Sequence, residues 1–232
     1  VDAGDIFDYV AGVAGHSGFV GQFDDELHTP GVRVPITADR HLFDRAVILG
    51  RHYQWLHTYG EAGAHPDGYT DVRDHRIPIT HPEYTVPVGN SCPLEWSYED
   101  TTKTLNVGPG RWTHVEPEAL DYTVGGANVL RSWLNYRLAR PRRVYRSPLD
   151  EINATRWDGS WSAELSNLLS ILGQLVALEE EMSELLTDIL AGALVSRADL
   201  TAAGVVWPSS AADRRPRASA EGTIFAPDTS PS

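Results

Sequence analysis

Ser160-Trp-Ser-Ala-Glu-Leu-Ser-Asn-Leu-Leu-Ser-Ile-Leu-Gly-Gln-Leu-Val-Ala-Leu-Glu-Glu-Glu-Met-Ser-Glu-Leu-Leu-Thr-Asp-Ile-Leu-Ala-Gly-Ala-Leu194 is a long helical pattern near the end of the chain. Leu165, Leu168, Leu169, Leu172, Leu175, Val176, Met182, Leu185, Leu186 and Ile189 recur at helical spacing. They form one broad apolar stripe, opposed by Glu179 to Glu181. Gly173 is a candidate kink.

Working back from this stripe, the periodicity changes twice. Leu94 to Tyr98 and Thr104 to Val107 alternate, and Glu99-Asp-Thr-Thr-Lys103 joins them as a β-hairpin. Arg111 to Val115 is a candidate third strand and Tyr122 to Val124 a fourth. Residues 61 to 93, rich in Gly, Pro, His and Asp, read as loops with a short strand or two. Further upstream the pattern is helical again. Asp39 caps a helix carrying Leu42, Phe43, Ala46, Val47, Leu49, Tyr53, Leu56 and His57, which stops near Tyr59-Gly60. Before it, Pro30 and Pro35 keep Thr29 to Thr37 extended. Ile6 to Ala14 and Gly18 to Leu27 read as two short helices.

The expected fold is therefore α+β, with a helical N-terminal third, a β-rich middle containing an antiparallel hairpin, and a long C-terminal helical segment. The expected organisation is a helical part over 1–60, a core with C-terminal helices over 61–195, and a disordered tail over 208–232, where the sequence is polar and broken by proline.

Composition narrows the function. The chain has 232 residues, 41% of them hydrophobic, which suffices for a full core. It lacks an 18-residue apolar run and a signal-peptide pattern at its start, so no membrane association is expected. Cys92 is the sole cysteine, which fits a reducing compartment. Val1 in place of an initiator Met suggests a cut point inside a longer protein.

The chain carries few patterns of known chemistry. Gly12, Gly15, Gly18 and Gly21 recur every third residue but match neither the P-loop nor the dinucleotide fingerprint, so helix packing or loop geometry is expected of them. The nine histidines form no H-x-x-x-H pair and Cys92 has no partner, so no metal site is expected. His57, on the apolar stripe of its helix, reads as a satisfied core histidine. No G-x-S-x-G, Walker motif, nuclease core or amino-methylation tetrapeptide is present, so no catalytic residue is assigned.

One stretch stands out by charge. Asn128-Val-Leu-Arg-Ser-Trp-Leu-Asn-Tyr-Arg-Leu-Ala-Arg-Pro-Arg-Arg-Val-Tyr-Arg146 holds six arginines and no acidic residue, within a chain of net charge -13. Guanidinium forks pair with phosphate oxygens or guanine edges, and Trp133, Tyr136 and Tyr145 offer rings for stacking. The alternative is a helix whose apolar face (Val129, Leu130, Trp133, Leu134, Leu138) is buried and whose arginines are merely solvated. A free-standing non-specific nucleic-acid binder is normally basic overall. DNA contact here would therefore use one patch, with a larger assembly supplying general affinity.

Several motifs in order resemble the C-terminal specificity region of type ISP restriction-modification enzymes. They are Ile6-Phe-Asp-Tyr-Val10, Thr29-Pro-Gly-Val-Arg-Val-Pro-Ile-Thr37, Leu42-Phe-Asp-Arg-Ala-Val-Ile-Leu-Gly-Arg51, Trp55-Leu-His-Thr-Tyr-Gly-Glu61, Tyr98-Glu-Asp-Thr-Thr-Lys-Thr-Leu-Asn-Val-Gly108, Ser132-Trp-Leu-Asn-Tyr-Arg137 and Ser147-Pro-Leu-Asp-Glu-Ile152. The resemblance covers about residues 5 to 190. It implies the target recognition domain of a bacterial, cytoplasmic, phage-defence machine that also joins a nuclease, a translocase and an adenine methyltransferase, with residues 1–60 including the end of the methyltransferase region.

On that resemblance the partner is double-stranded DNA, alongside the adjacent methyltransferase and the helicase and nuclease domains of the same polypeptide. This chain itself is expected to be non-catalytic and to carry no cofactor; S-adenosylmethionine, with ATP and Mg, belongs to the parent enzyme. The candidate DNA-contacting residues are Arg111, Arg131, Trp133, Asn135, Tyr136 and Arg137, followed by Arg140, Arg142, Arg143, Tyr145 and Arg146. Pro141 and the Arg142-Arg143 pair depart from the family pattern, which bears on the target sequence. Two other readings remain open. One is an inter-domain module docking through the 165 to 190 leucine stripe with little DNA contact; the other is an enzyme of unrecognised type using the 61 to 93 loops.

Overall fold

A computed structural model of the chain describes residues 1–29, 31–69, 91–139 and 156–210. The stripe over 160–194 folds as one unbroken helix, α7 (Gly159–Ala191), of 33 residues and thus about 50 Å in length. Asp158 caps it by accepting from the Ser160 amide at 2.9 Å. Fourteen of its side chains are buried, running from Ser162 to Ile189, and Gly173 lies within the helix without ending it. This stripe is buried against the rest of its own chain, so it is not an exposed docking face. Long and covered, α7 is the spine on which α1, α2, α4 and α5 pack.

The N-terminal third is helical, as expected: α1 (Ala3–Ala14), α2 (Ser17–Gln22), α3 (Asp24–Leu27) and α4 (Arg40–His57). The stretch expected as a single helix to Leu27 is divided at Phe23, which ends α2 and begins α3. Asp2 and Asp5 form a reciprocal capping box at the start of α1. Asp39 caps α4, accepting from the amides of His41 and Leu42 at 2.7 and 3.2 Å.

Helix α1 crosses α4 closely enough that a Cβ on either Gly12 or Gly50 would overlap backbone of the other helix. Around the crossing, Tyr9 stacks on Phe43 with ring centres 4.8 Å apart. The buried Asp8 carboxylate accepts from Arg51 Nε at 2.6 Å and Gln54 Nε2 at 2.8 Å. The Tyr9 hydroxyl donates to the Pro35 carbonyl and accepts from the Thr37 amide, fixing the extended segment. Thr37 then bridges to Leu194, and the Ala38 amide donates to the Ala193 carbonyl at 2.8 Å. Chain start and spine end are thereby joined in one compact unit, Val1–Leu194.

Helix α4 stops near Tyr59-Gly60, as expected. Gly60 donates to the Trp55 carbonyl and Tyr59 to that of Leu56, the paired bonds of a Schellman motif. Tyr59 at φ 55° and Gly60 at φ 87° both take positive φ there.

In the middle of the chain, β1 (Trp96–Glu99), β2 (Thr104–Val107) and β3 (Gly110–Trp112) form an antiparallel sheet in sequence order. The expected hairpin is present, with Trp96 opposite Val107 and Glu99 opposite Thr104. A 3-10 turn (Asp100–Thr102) and Lys103 at φ 48° close it. The third strand is shorter than expected, ending at Trp112. The fourth candidate strand does not join this sheet: β4 (Thr123–Val124) pairs with β5 (Ala127–Asn128) in a separate hairpin. Gly125 and Gly126, both at positive φ, make that two-residue turn possible. Helix α5 (Pro117–Asp121) precedes it and α6 (Val129–Asn135) follows. Strands expected within 61–93 fall mostly on residues outside those described, as does most of the 208–232 tail. A second unit, Val195–Ser232, contains α8 (Arg197–Ala202) with its own Ser196–Asp199 capping box.

One polar junction sits under α2. Glu179, expected to face solvent opposite the stripe, is half-buried and accepts from the Ser17 amide (3.1 Å), the Ser17 hydroxyl (2.7 Å) and the Tyr122 hydroxyl (2.5 Å). His16, 1% exposed, meets Ser183 Oγ at 3.2 Å through Nδ1, and its Nε2 has no hydrogen-bond partner among the described residues. The same holds for Nε2 of His57, whose ring lies 4.2 Å from that of Tyr53. His57 is thus half-buried and packed against Tyr53 on the inner side of its helix. Burial, outweighing the nearby Glu179 carboxylate, holds both imidazoles below their ordinary value of 6.5. Burial and the same carboxylate push Tyr53 up to about 12.

A pH dependence follows. The unfolded chain takes up these two protons near 6.5, whereas the folded chain resists them, so the stabilisation is complete above that pH and is lost as pH falls below it. Urea melts between pH 7 and pH 5 should show falling stability, with a slope approaching about one proton per histidine. His16→Gln and His57→Gln should each flatten that slope; an unchanged slope in both would contradict the assignment.

Candidate nucleic-acid interface

The arginine-aromatic stretch begins on α6. The Asn128 side chain caps this helix, accepting from the Arg131 amide at 2.8 Å and donating to the Leu120 carbonyl at 2.7 Å. Seven residues are too few for a stable free helix. Packing holds it: Leu130 and Leu134 are fully buried, and Val129, Trp133 and Leu138 are packed against the core at its edge. The apolar face expected from the sequence is therefore buried, which leaves Arg131, Ser132, Asn135 and Tyr136 exposed.

The exposed residues differ in how free they are. Tyr136 is 73% exposed. Arg131 forms an ion pair with Asp121 at 3.5 Å, and its guanidinium lies 5.7 Å from the centre of the Trp96 ring. Both members of that pair are largely exposed, so it is worth at most about 1 kcal/mol and leaves the guanidinium available.

Trp133 and Arg137 are committed elsewhere. The Arg137 guanidinium sits 3.8 Å from the centre of the Trp133 ring and 5.3 Å from that of Trp161. It donates to the Trp133 carbonyl at 3.1 Å and to Glu164 Oε2 at 3.3 Å. Buried Trp157 stands edge-on to Trp133 and Trp161, with centres 6.2 and 5.5 Å away, and donates its Nε1 proton to Ser162 Oγ. Trp133 thus has a protein partner on its ring already.

Arg111 occupies the central position of β3, opposite Asn106. Alternation along the strand turns it outward while its neighbour Trp112 is buried. Arg131 instead lies over Trp96, whose ring packs against the core. Arg111 thus lies on the outer face of the sheet, whereas Trp96 lies on the face that packs against the core. Arg140, Arg142, Arg143, Tyr145 and Arg146, and the Ser147 to Ile152 motif, lie outside the described residues. The last described residue before them, Ala139, is tied down by its amide to the Pro93 carbonyl at 2.8 Å.

Trp96, Trp157, Trp161 and Glu164 shape this surface and were not assigned to it from sequence. Trp157 precedes the Asp158 cap and so lies outside α7, and its four-residue spacing to Trp161 is not a helix-face pattern. Nothing local marks Glu164, 27 residues from its arginine.

Comparison with known proteins fits this architecture. The DrdV–DNA complex aligns with 83% of this chain and 18% of its own, at 15% identity and a TM-score of 0.50, and so shares the fold. A nuclease-deletion mutant of the type ISP restriction-modification enzyme LlaGI, in complex with a DNA substrate mimic, aligns over 81% of this chain and 14% of its own, at 16% identity and a TM-score of 0.49. The chain thus spans less than a fifth of the length of either. No curated protein sequence matches it. The model of the type ISP C-terminal specificity domain matches residues 1–168, which is most of the chain. With the motifs in order and this match across the α1 to α6 fold and into α7, the protein belongs to the family of type ISP C-terminal specificity domains.

Proposed function

We propose that this chain is a DNA target-recognition domain, reading a double-stranded site so that a neighbouring domain can methylate an adenine within it. The observation that carries the reading is the exposed face of α6 in a specificity-domain family member: Arg131, Asn135 and Tyr136 stand free of the core immediately before Arg140, in the most basic stretch of an acidic chain. The DrdV structure that shares the fold is a DNA complex. Arginines and amides on one surface suit both tasks of such a domain, gripping phosphates and pairing with base edges.

Arg140, Arg142, Arg143, Tyr145 and Arg146 extend the proposed contact set, and Arg111 belongs to it only if the duplex also reaches the outer sheet face. S-adenosylmethionine, ATP and Mg are assigned to the parent enzyme's other domains, with methyltransferase, helicase and nuclease parts as the neighbours. Among the described residues no group of three or more His, Cys, Asp or Glu side chains is placed to hold a metal, and no helix is long and apolar enough to cross a membrane. The inter-domain alternative loses its motif, because the leucine stripe is buried within this chain.

Alanine variants of Arg131, Arg140, Arg142, Arg143 and Arg146 in the intact enzyme test the reading. Losing a phosphate clamp should weaken binding to all duplexes alike and flatten the salt dependence by about one unit of slope. Losing a base reader should cost about 1–3 kcal/mol and relax one position of the site. Unchanged affinity and methylation across all five, at two salt concentrations, would end the DNA-contact reading.

A further inference from the structure

Arg137 belongs to the stretch whose charge suggests DNA contact, yet its surroundings fit a different task. Its side chain is 22% exposed, against 57% for Arg131. One end of the guanidinium donates to the Trp133 carbonyl and the other to Glu164. Nε is buried without a hydrogen-bond partner among the described residues. The guanidinium carbon lies 3.8 Å from the centre of the Trp133 ring and 5.3 Å from that of Trp161. A phosphate brought to this fork would also meet the Glu164 carboxylate, a like-charge approach that disfavours the contact.

What the fork does join is α6 to α7. Trp133 lies on α6, whereas Trp161 and Glu164 lie in the first two turns of α7, and Trp157 just before that helix packs against both tryptophans. A helix of seven residues carrying an exposed reading face needs such a tie, because base readout tolerates errors of only about 0.5 Å in side-chain placement.

We infer that Arg137 and Glu164 are a positioning pair: they fix the face bearing Arg131, Asn135 and Tyr136 against the α7 spine, and Arg137 does not itself touch DNA. This rests on the DNA-reading role proposed for that face. It makes Glu164, an acidic residue, a determinant of DNA affinity, which a charge-based view of the surface would not expect.

The test compares Arg137→Gln, Glu164→Gln and the double variant with Arg131→Ala in the intact enzyme. Each is titrated at several salt concentrations with a short duplex selected by the wild type from a pool with a randomised centre, and each melting temperature is measured. As a positioning pair, Arg137→Gln and Glu164→Gln should each weaken binding about five-fold, the double variant no more than either single, and Glu164→Gln should leave the salt slope unchanged. Glu164→Asp, which keeps the carboxylate, should recover part of the loss. Arg131→Ala, the contact reference, should flatten the slope by about one unit. If Glu164→Gln is neutral or binds more tightly while Arg137→Gln flattens the slope, Arg137 is a phosphate clamp and the inference fails alone. Losses that vanish once affinity is corrected for folded fraction would reduce the pair to a stability role and overturn it too. If the wild type selects no sequence, or Arg131→Ala binds like wild type, the reading of the face fails and the inference with it.

Discussion

Gly50→Leu should leave no folded Val1–Leu194 unit, and even Gly50→Ala should lower the melting temperature by 10 °C or thereabouts, roughly the effect of 4 kcal/mol in a domain of this size. A Cβ at position 50 would overlap the Asp8 carbonyl oxygen, and one at position 12 the Ala46 carbonyl. Overpacking in a core usually costs about 1–3 kcal/mol, because side chains can shift to make room. Here the obstacle is backbone on both sides, and backing α1 away from α4 would break the Asp8 bonds to Arg51 and Gln54 and the Tyr9–Phe43 stack. Domains have only about 5–15 kcal/mol to lose. Thermal melts of Gly12→Ala, Gly50→Ala and the double variant check this. Since one separation of the helices relieves both clashes, the double should cost less than the sum. Two alanine variants melting within a degree or two of wild type would show that the helices do not cross this closely.

Trp112→Ala should cost about 3–5 kcal/mol, the usual range for emptying a buried aromatic site. Trp112 is 1% exposed, lies opposite Leu105 on β2, and donates its indole proton to Ser166 Oγ on α7 at 3.0 Å. It therefore joins the small sheet to the spine. Trp112→Phe should cost clearly less: the ring largely fills the space, and the Ser166 hydroxyl keeps its bond to the Ser162 carbonyl. Denaturant titrations of the two variants separate the terms. Equal losses would put the whole effect on the hydrogen bond, and a loss below about 1 kcal/mol for alanine would mean the sheet is not anchored by this residue.

Much of the local structure was legible because its causes are local. Asp39 announces α4 since an aspartate before a helical stripe can accept from the free amides of the first turn. The Leu94 to Val107 region alternates because one face of a sheet is buried, and it pairs as read. Ends were less legible: Tyr59 joins Gly60 at positive φ where α4 stops, and Tyr122 to Val124 pairs with the next hairpin strand and not with the sheet. Propensity ranks the residue types at such positions, but packing decides which residue occupies them.

At the candidate interface, the arginine run, the buried apolar face of α6 and the family motifs all stand in the linear chain, and with them the α+β order and the specificity-domain family. Those properties depend on composition, periodicity and motif order, which need no knowledge of distance. The sorting of the arginines needed the tertiary structure. Arg131 and Arg137 are six positions apart and chemically identical in sequence. One is left exposed beside Trp96, and the other is absorbed by Glu164 and two tryptophans, because helix packing brings the start of α7 against the end of α6. Glu179 shows the same limit, half-buried by Ser17 and Tyr122 from 162 and 57 residues away. Such pairings depend on how long elements cross in space, so the linear order names the participants and the packed chain alone decides which of them face solvent.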